Sequence, residues 1–106
     1  MRLESPSRVR RLAGLDYAPD ARRVRFGERT VRLSRRESQL VATLISQNGR
    51  AIGARELLGR AWGGNDLTES QVRTYIAQLR KKLAGLKVPA EVINEPGLGY
   101  SLRFDP

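Results

Sequence analysis

Residues 72–83 read VRTYIAQLRKKL, and shortly after them residues 95–102 read EPGLGYSL. In the first stretch Val72, Tyr75, Ile76, Leu79 and Leu83 recur at helical spacing, which lays one apolar stripe along an α-helix. The opposite side shows Ser70, Thr74, Ala77, Gln78 and Lys81, with Arg73 and Arg80 on its flank. That outward surface consists of small or hydrogen-bonding side chains edged with guanidinium groups. In the second stretch Gly97 and Gly99 separate an apolar lead-in (Val92, Ile93) from an alternating exit (Tyr100, Leu102, Phe104), the pattern of a hairpin with a Gly-rich tip. A basic-edged helix followed at once by a hairpin constrains what must lie upstream.

Working back, Thr68 and Gln71 have capping-box spacing and place the start of this helix near residue 68; Gly85 is expected to end it after Leu83 or Ala84. A shorter helix is expected over residues 54–62, between Gly53 and Gly63-Gly64, burying Leu57, Leu58 and Ala61. Ser34 and Glu37 form another capping box, so a first helix starts at Arg35, buries Leu40, Val41, Leu44 and Ile45, and closes at Asn48-Gly49. Before it, three short strands are predicted over residues 15–18, 22–26 and 29–33, with turns at Pro19-Asp20 and Gly27-Glu28. Val24, Phe26, Val31 and Leu33 fall on one face of that sheet and arginines on the other, wet face. Residues 1–11 contain Ser5-Pro6-Ser7 and four arginines without periodicity, and are expected to be a tail or interdomain linker remnant preceding a domain over 12–106. The fold class is α+β: an N-terminal antiparallel sheet, three helices and a C-terminal β-hairpin.

The chain has 106 residues, 40% of them apolar, enough for one modest core. Cysteine and histidine are absent, which removes disulfides, thiol nucleophiles, Cys/His zinc sites and histidine-based triads. The carboxylates are scattered and Gly97-Leu98-Gly99 lacks the further glycine of a phosphate-binding motif, so no enzyme, metal or cofactor is expected. No apolar run reaches the roughly 20 residues of a membrane span. Net charge is +9, which favours polyanionic partners, and residues 1–36 supply +7 of it from eleven arginines and four acids. A short helix, a Gly-rich loop and a longer basic helix follow the helix-turn-helix order, with the hairpin in the place of a wing. A major groove admits such a helix, and Arg, Gln and Thr address base edges or phosphates there.

At these residues the sequence resembles the DNA-binding (effector) domain of OmpR/PhoB-type response regulators. The likeness runs from about residue 12 to residue 104, through LSRRESQLVATLISQNGR (33–50), RELLGRAWG (55–63), VRTYIAQLRKKL and EPGLGYSL. The pairing of LRKKL with a downstream GxGY is its most specific element, and the wording is closest to the subgroup related to the potassium-transport regulator KdpE. The resemblance implies a winged helix-turn-helix and sequence-specific binding of double-stranded DNA for transcription regulation in the cytoplasm, as the effector half of a two-component phosphorelay. The third helix would enter the major groove, with the wing on the adjacent backbone. Position by position it implies base reading by Arg73, Thr74, Ala77 and Gln78. It implies phosphate contacts by Arg55, Trp62, Ser70, Tyr75, Arg80, Lys81, Gly97 and Tyr100. Implied partners are a second protomer on tandem half-sites, RNA polymerase at the 63–68 loop, and a receiver domain in the parent protein, of which this chain is expected to be the carboxy-terminal part.

Several positions carry two readings. Trp62 suits a core edge as well as a phosphate, Tyr75 suits packing as well, and the 63–68 loop suits a plain connector. Two departures from the family pattern stand out. Where many members carry a wing-tip arginine this chain has Pro96 after Glu95, so wing contacts are expected to come from backbone. Where an acid is common on the third helix it has Arg73, which favours guanine rather than the amino group of cytosine. A protein-interaction module and a nonspecific nucleic-acid binder are the alternative functions for the same scaffold.

Overall fold

The computed structural model describes residues 10–12, 14–64 and 67–104. Its elements in chain order are β1 (Arg10–Leu12), β2 (Leu15–Ala18), β3 (Arg23–Phe26), β4 (Arg29–Arg32), α1 (Arg35–Ser46), α2 (Ala54–Trp62), α3 (Glu69–Leu86), β5 (Ala90–Glu95) and β6 (Gly99–Phe104). The first four strands form one antiparallel meander in the order β1-β2-β3-β4. Phe26 pairs with Arg29 across Gly27-Glu28, and Gly27 takes φ +62° as a tight two-residue hairpin demands. The sheet thus has four strands rather than the expected three. Arg10 and Arg11, placed in the tail by the sequence, belong to β1, because a return at Gly14 (φ +90°) lets Leu12 pair with Leu15. The remainder of the tail, residues 1–9, lies outside the described residues, as do Asn65 and Asp66 of the 63–68 loop.

Alternation decides which side of the sheet is dry. Leu15, Tyr17 and Val24 are buried, while Arg23, Arg25 and Arg32 are exposed. The Tyr17 hydroxyl, buried with its ring, donates to the Ser38 carbonyl at 2.9 Å and lies 2.7 Å from the Ser38 hydroxyl, tying the sheet to α1. Both halves of the Ser34–Glu37 capping box are present, and α1 begins where that box requires. Gly63 ends α2 in the left-handed conformation at φ +81°.

The Thr68–Gln71 capping box is likewise formed, but α3 runs past Gly85 to Leu86, and Lys87 rather than glycine takes the left-handed cap at φ +62°. Leu86 is fully buried and continues the stripe of Val72, Ile76, Leu79 and Leu83. Burying a leucine contributes about 1.5–3 kcal/mol, which outweighs the roughly 1 kcal/mol cost of a glycine within a helix. Pro89 then forces the chain into β5.

The hairpin pairs Ala90 with Phe104 through to Glu95 with Gly99. It does not stand free. Ile52, just before α2, exchanges both backbone hydrogen bonds with Tyr100 at 2.8 and 2.9 Å. The core that results joins Leu40, Leu44, Leu57, Val72, Ile76 and Leu79 of the helices to Ile52, Val92 and Leu102.

Candidate nucleic-acid interface

The orientation of α3 follows from its two kinds of neighbour. Its buried stripe faces α1 and α2, which leaves Ser70, Arg73, Thr74, Ala77, Gln78 and Lys81 exposed on the outer side. Among the described residues, Arg73, Thr74, Gln78 and Lys81 have no side-chain partner. The four expected base-reading positions therefore share one accessible face of a capped helix, with their hydrogen-bonding groups uncommitted. Arg55, at the start of α2, has a 92% exposed side chain and only a long contact of 3.6 Å to Glu69 at the start of α3. Two helix starts thus meet beside the wing, and a groove of about 420 Å³ opens there, lined by Gly53, Ser70, Arg73, Gly97, Leu98 and Tyr100 among others.

The wing presents backbone at that groove. Gly99 sits at φ +123°, and a Cβ there would lie 2.1 Å from the Ile52 carbonyl oxygen. Glu95 accepts from the Ser101 hydroxyl at 2.8 Å and from Arg103 at 2.7 Å; these bonds, the Ser101 one foremost, hold its carboxyl below the ordinary value. Its negative charge is therefore matched by Arg103. The tip itself carries Pro96 and Leu98 but no cation, and Leu98, 64% exposed, is the exposed large hydrophobic side chain among the described residues.

Several expected contacts are redirected by packing. Trp62 is only 9% exposed, packs its ring 5.5 Å from that of Tyr75, and donates its indole N–H to the Arg36 carbonyl at 3.1 Å. The indole N–H that a phosphate contact by Trp62 would need is thus engaged inside the fold, and Trp62 is a core-edge residue joining α2 to α1. Tyr75 is half-buried against it. Tyr100 is buried, with its backbone committed to Ile52. Arg80 donates Nε to the Val92 carbonyl at 3.0 Å, so it braces α3 against β5 while the rest of its exposed guanidinium stays outward. Gly97 remains open and exposed.

Lys82 turns inward, donating to the Arg32 carbonyl at 2.9 Å and to Glu37, whose side chain is almost fully buried. Burial pushes the Glu37 carboxyl up, yet the Lys82 ammonium and the Ser34 backbone and hydroxyl outweigh it and hold the pKa below its ordinary value. The sequence carries no local sign of these braces, because each joins residues distant along the chain. It also missed a recess of about 280 Å³ lined by Arg35, Arg36, Gln39 and Trp62 at the start of α1. Two adjacent arginines in the first turn of a helix were the available signal.

Residues 27–102 match the family model described as "Transcriptional regulatory protein, C terminal". The chain belongs to this family. It is 33% identical over 94 residues to the transcriptional regulatory protein DltR of Streptococcus agalactiae, a match covering 88% of this chain and 42% of DltR. It is 37% identical over 82 residues to the KDP operon transcriptional regulatory protein KdpE of Escherichia coli, covering 76% of this chain and 36% of KdpE. The chain thus spans less than half the length of these curated relatives. The fold matches the DNA-binding domain of the response regulator AdeR, solved in complex with an intercistronic region, with a TM-score of 0.77 and 23% identity over 91% of this chain and all of that one. The architecture is accordingly an α+β winged helix of this family. No described helix is long and apolar enough to cross a membrane.

Proposed function

We propose that the chain binds duplex DNA in a sequence-specific manner for transcription regulation, with α3 in the major groove and the wing backbone on the adjacent strand. The observation that carries this is the outer face of α3: Arg73, Thr74, Ala77 and Gln78 are exposed together, without partners among the described residues, on a helix fixed by a capping box and a buried stripe. Arg73 and Gln78 address base edges; Arg55, Ser70, Lys81, the free part of Arg80 and the Gly97 backbone address phosphates. Residues before β1 act as a linker, and in the parent protein a receiver domain supplies phosphorylation control in the cytoplasm. Tandem half-sites and an RNA polymerase contact belong to the same proposal.

Selection of bound sequences from a random duplex pool tests it. With roughly 6–8 phosphates neutralised, log affinity falls against log salt with a slope of about −5 to −7. Arg73→Ala relaxes discrimination at one base position by about 1–3 kcal/mol, whereas Arg55→Ala weakens all sequences alike and lowers the slope by about 1. Equal binding to selected and scrambled duplexes at physiological salt overturns the proposal. The exposed Leu98 favours a second reading, a protein-docking wing, which a selection without enrichment would bring forward.

A further inference from the structure

We infer that the outer face of the four-stranded sheet is a second nucleic-acid surface, which takes the phosphate backbone of a duplex segment other than the one held by α3. The inference rests on the proposed DNA binding and extends it to residues that the binding helix does not use.

Strand register places Arg23 directly opposite Arg32, and Arg25 two residues further along β3, all on the face turned away from the core. Arg25 is paired with Asp16 at 2.8 Å. Arg23 and Arg32 are exposed and have no side-chain partner among the described residues. Like charges directly opposite each other destabilise a sheet. A phosphate between them would turn that repulsion into two charge-assisted contacts, and guanidinium forks suit phosphate oxygens.

Two observations choose phosphate backbone over a protein surface. Among the described residues the outer face offers Ala18 and Thr30 beside its charges, with no aromatic or large aliphatic anchor, because Tyr17, Val24 and Val31 point to the other side. Duplex DNA carries one charge per roughly 1.7 Å of axis, so a flat set of guanidinium groups meets phosphates without a shaped pocket.

The location points to a second segment. Arg80 and Lys82 are two residues apart on α3, which is about 200° around the helix. Arg80 reaches β5 of the wing, and Lys82 reaches the Arg32 carbonyl of β4. Wing and sheet therefore flank α3 on different sides. A straight duplex seated on α3 and the wing leaves the outer face of the sheet free.

A bridging assay tests this. The chain is bound to an immobilised duplex bearing its selected site, and capture of a labelled duplex lacking the site is measured across a salt series. The parent complex captures the second duplex, and capture falls with salt. The double variant Arg23→Gln/Arg32→Gln loses capture about tenfold while its affinity for the selected site stays within about twofold. The Arg23→Lys/Arg32→Lys variant retains most of it. Absence of capture by the parent at low salt overturns the inference, as does equal capture by the Gln variant. Equal loss of site affinity and capture overturns it too, by showing one continuous footprint, and so does displacement by polyglutamate at matched charge. Should the parent show no site preference, the proposed function fails on its own. Duplex retention by the sheet is then read directly from parent against Gln variant, and loss of retention in the variant upholds the surface.

Discussion

Replacing Gly99 with alanine puts the tie between the wing and α2 to its hardest test. A Cβ at this position would stand 2.1 Å from the Ile52 carbonyl oxygen, 2.5 Å from its carbon and 2.7 Å from Gly53 Cα, at a backbone φ of +123°. All three are backbone atoms, so no side chain can swing aside. The strand must part from Ile52, losing the hydrogen bonds of 2.8 and 2.9 Å that Ile52 and Tyr100 exchange. Two such bonds contribute about 1–3 kcal/mol net, and the disfavoured φ costs about 1–2 kcal/mol more. The expected destabilisation is therefore about 2–5 kcal/mol out of the roughly 5–15 kcal/mol available to a domain of this size. Gly97→Ala is the control: its φ is also positive, at +77°, but nothing lies within 4 Å of the added carbon. It is expected to lose only about 1 kcal/mol. At roughly 4–8 °C per kcal/mol, Gly99→Ala melts about 8–40 °C lower than the parent and Gly97→Ala less than about 10 °C lower. Thermal and urea unfolding followed by circular dichroism and Trp62 fluorescence measure both. Two variants equal within about 0.5 kcal/mol would refute the steric argument, because they share a positive φ and differ in what the new carbon meets.

Trp62→Phe removes the indole N–H from the Arg36 carbonyl and is expected to lower stability by about 1–2 kcal/mol, while affinity of the folded protein for its selected duplex stays unchanged; a selective fall in affinity would restore the phosphate role. Glu37→Gln leaves the Lys82 ammonium without its buried partner and is expected to cost about 1.5–3 kcal/mol near neutral pH in urea unfolding. Because the folded pKa of Glu37 is depressed, its stabilisation is present above the ordinary glutamate range and is lost as pH falls through the folded value. The gap between parent and Glu37→Gln should consequently narrow in acid, and a gap that stays constant down to about pH 3 would sink the linkage.

Helix starts were legible because capping is local. Ser34 with Glu37 and Thr68 with Gln71 sit three residues apart, and both boxes form as their spacing implies. The end of α3 was misplaced because Gly85 is a local signal, whereas burial of Leu86 is a property of the assembled core. β1 escaped notice for a related reason: three residues are too few to show alternation, and only pairing with β2 gives them a strand. At the interface, the outward set from Arg73 to Gln78 could be read from helical periodicity alone. The engagement of Trp62, Arg80 and Lys82 could not. Their acceptors are carbonyls of Arg36, Val92 and Arg32, and no sequence pattern shows which carbonyl a distant side chain will find. Gly99 belongs with these, since its glycine is required by Ile52 across a non-local bridge.

The division of labour among the cations of α3 bears on what mutation of that helix can reveal. Of Arg73, Arg80, Lys81 and Lys82, the last is turned into the fold and Arg80 is partly committed to β5, so Arg73 and Lys81 are the uncommitted charges on its outer side. Each phosphate neutralised contributes roughly one unit of salt slope, so two such residues account for only a small part of the expected slope. The larger electrostatic share must come from Arg55 and from exposed cations outside α3 other than Arg23 and Arg32 of the sheet. Affinity and discrimination are then carried by different elements. Substitutions at Arg73 and Gln78 should change which sequence is preferred with little effect on the salt slope, and substitution of Arg55 should do the reverse. A basic helix that supplied both would show the two effects moving together.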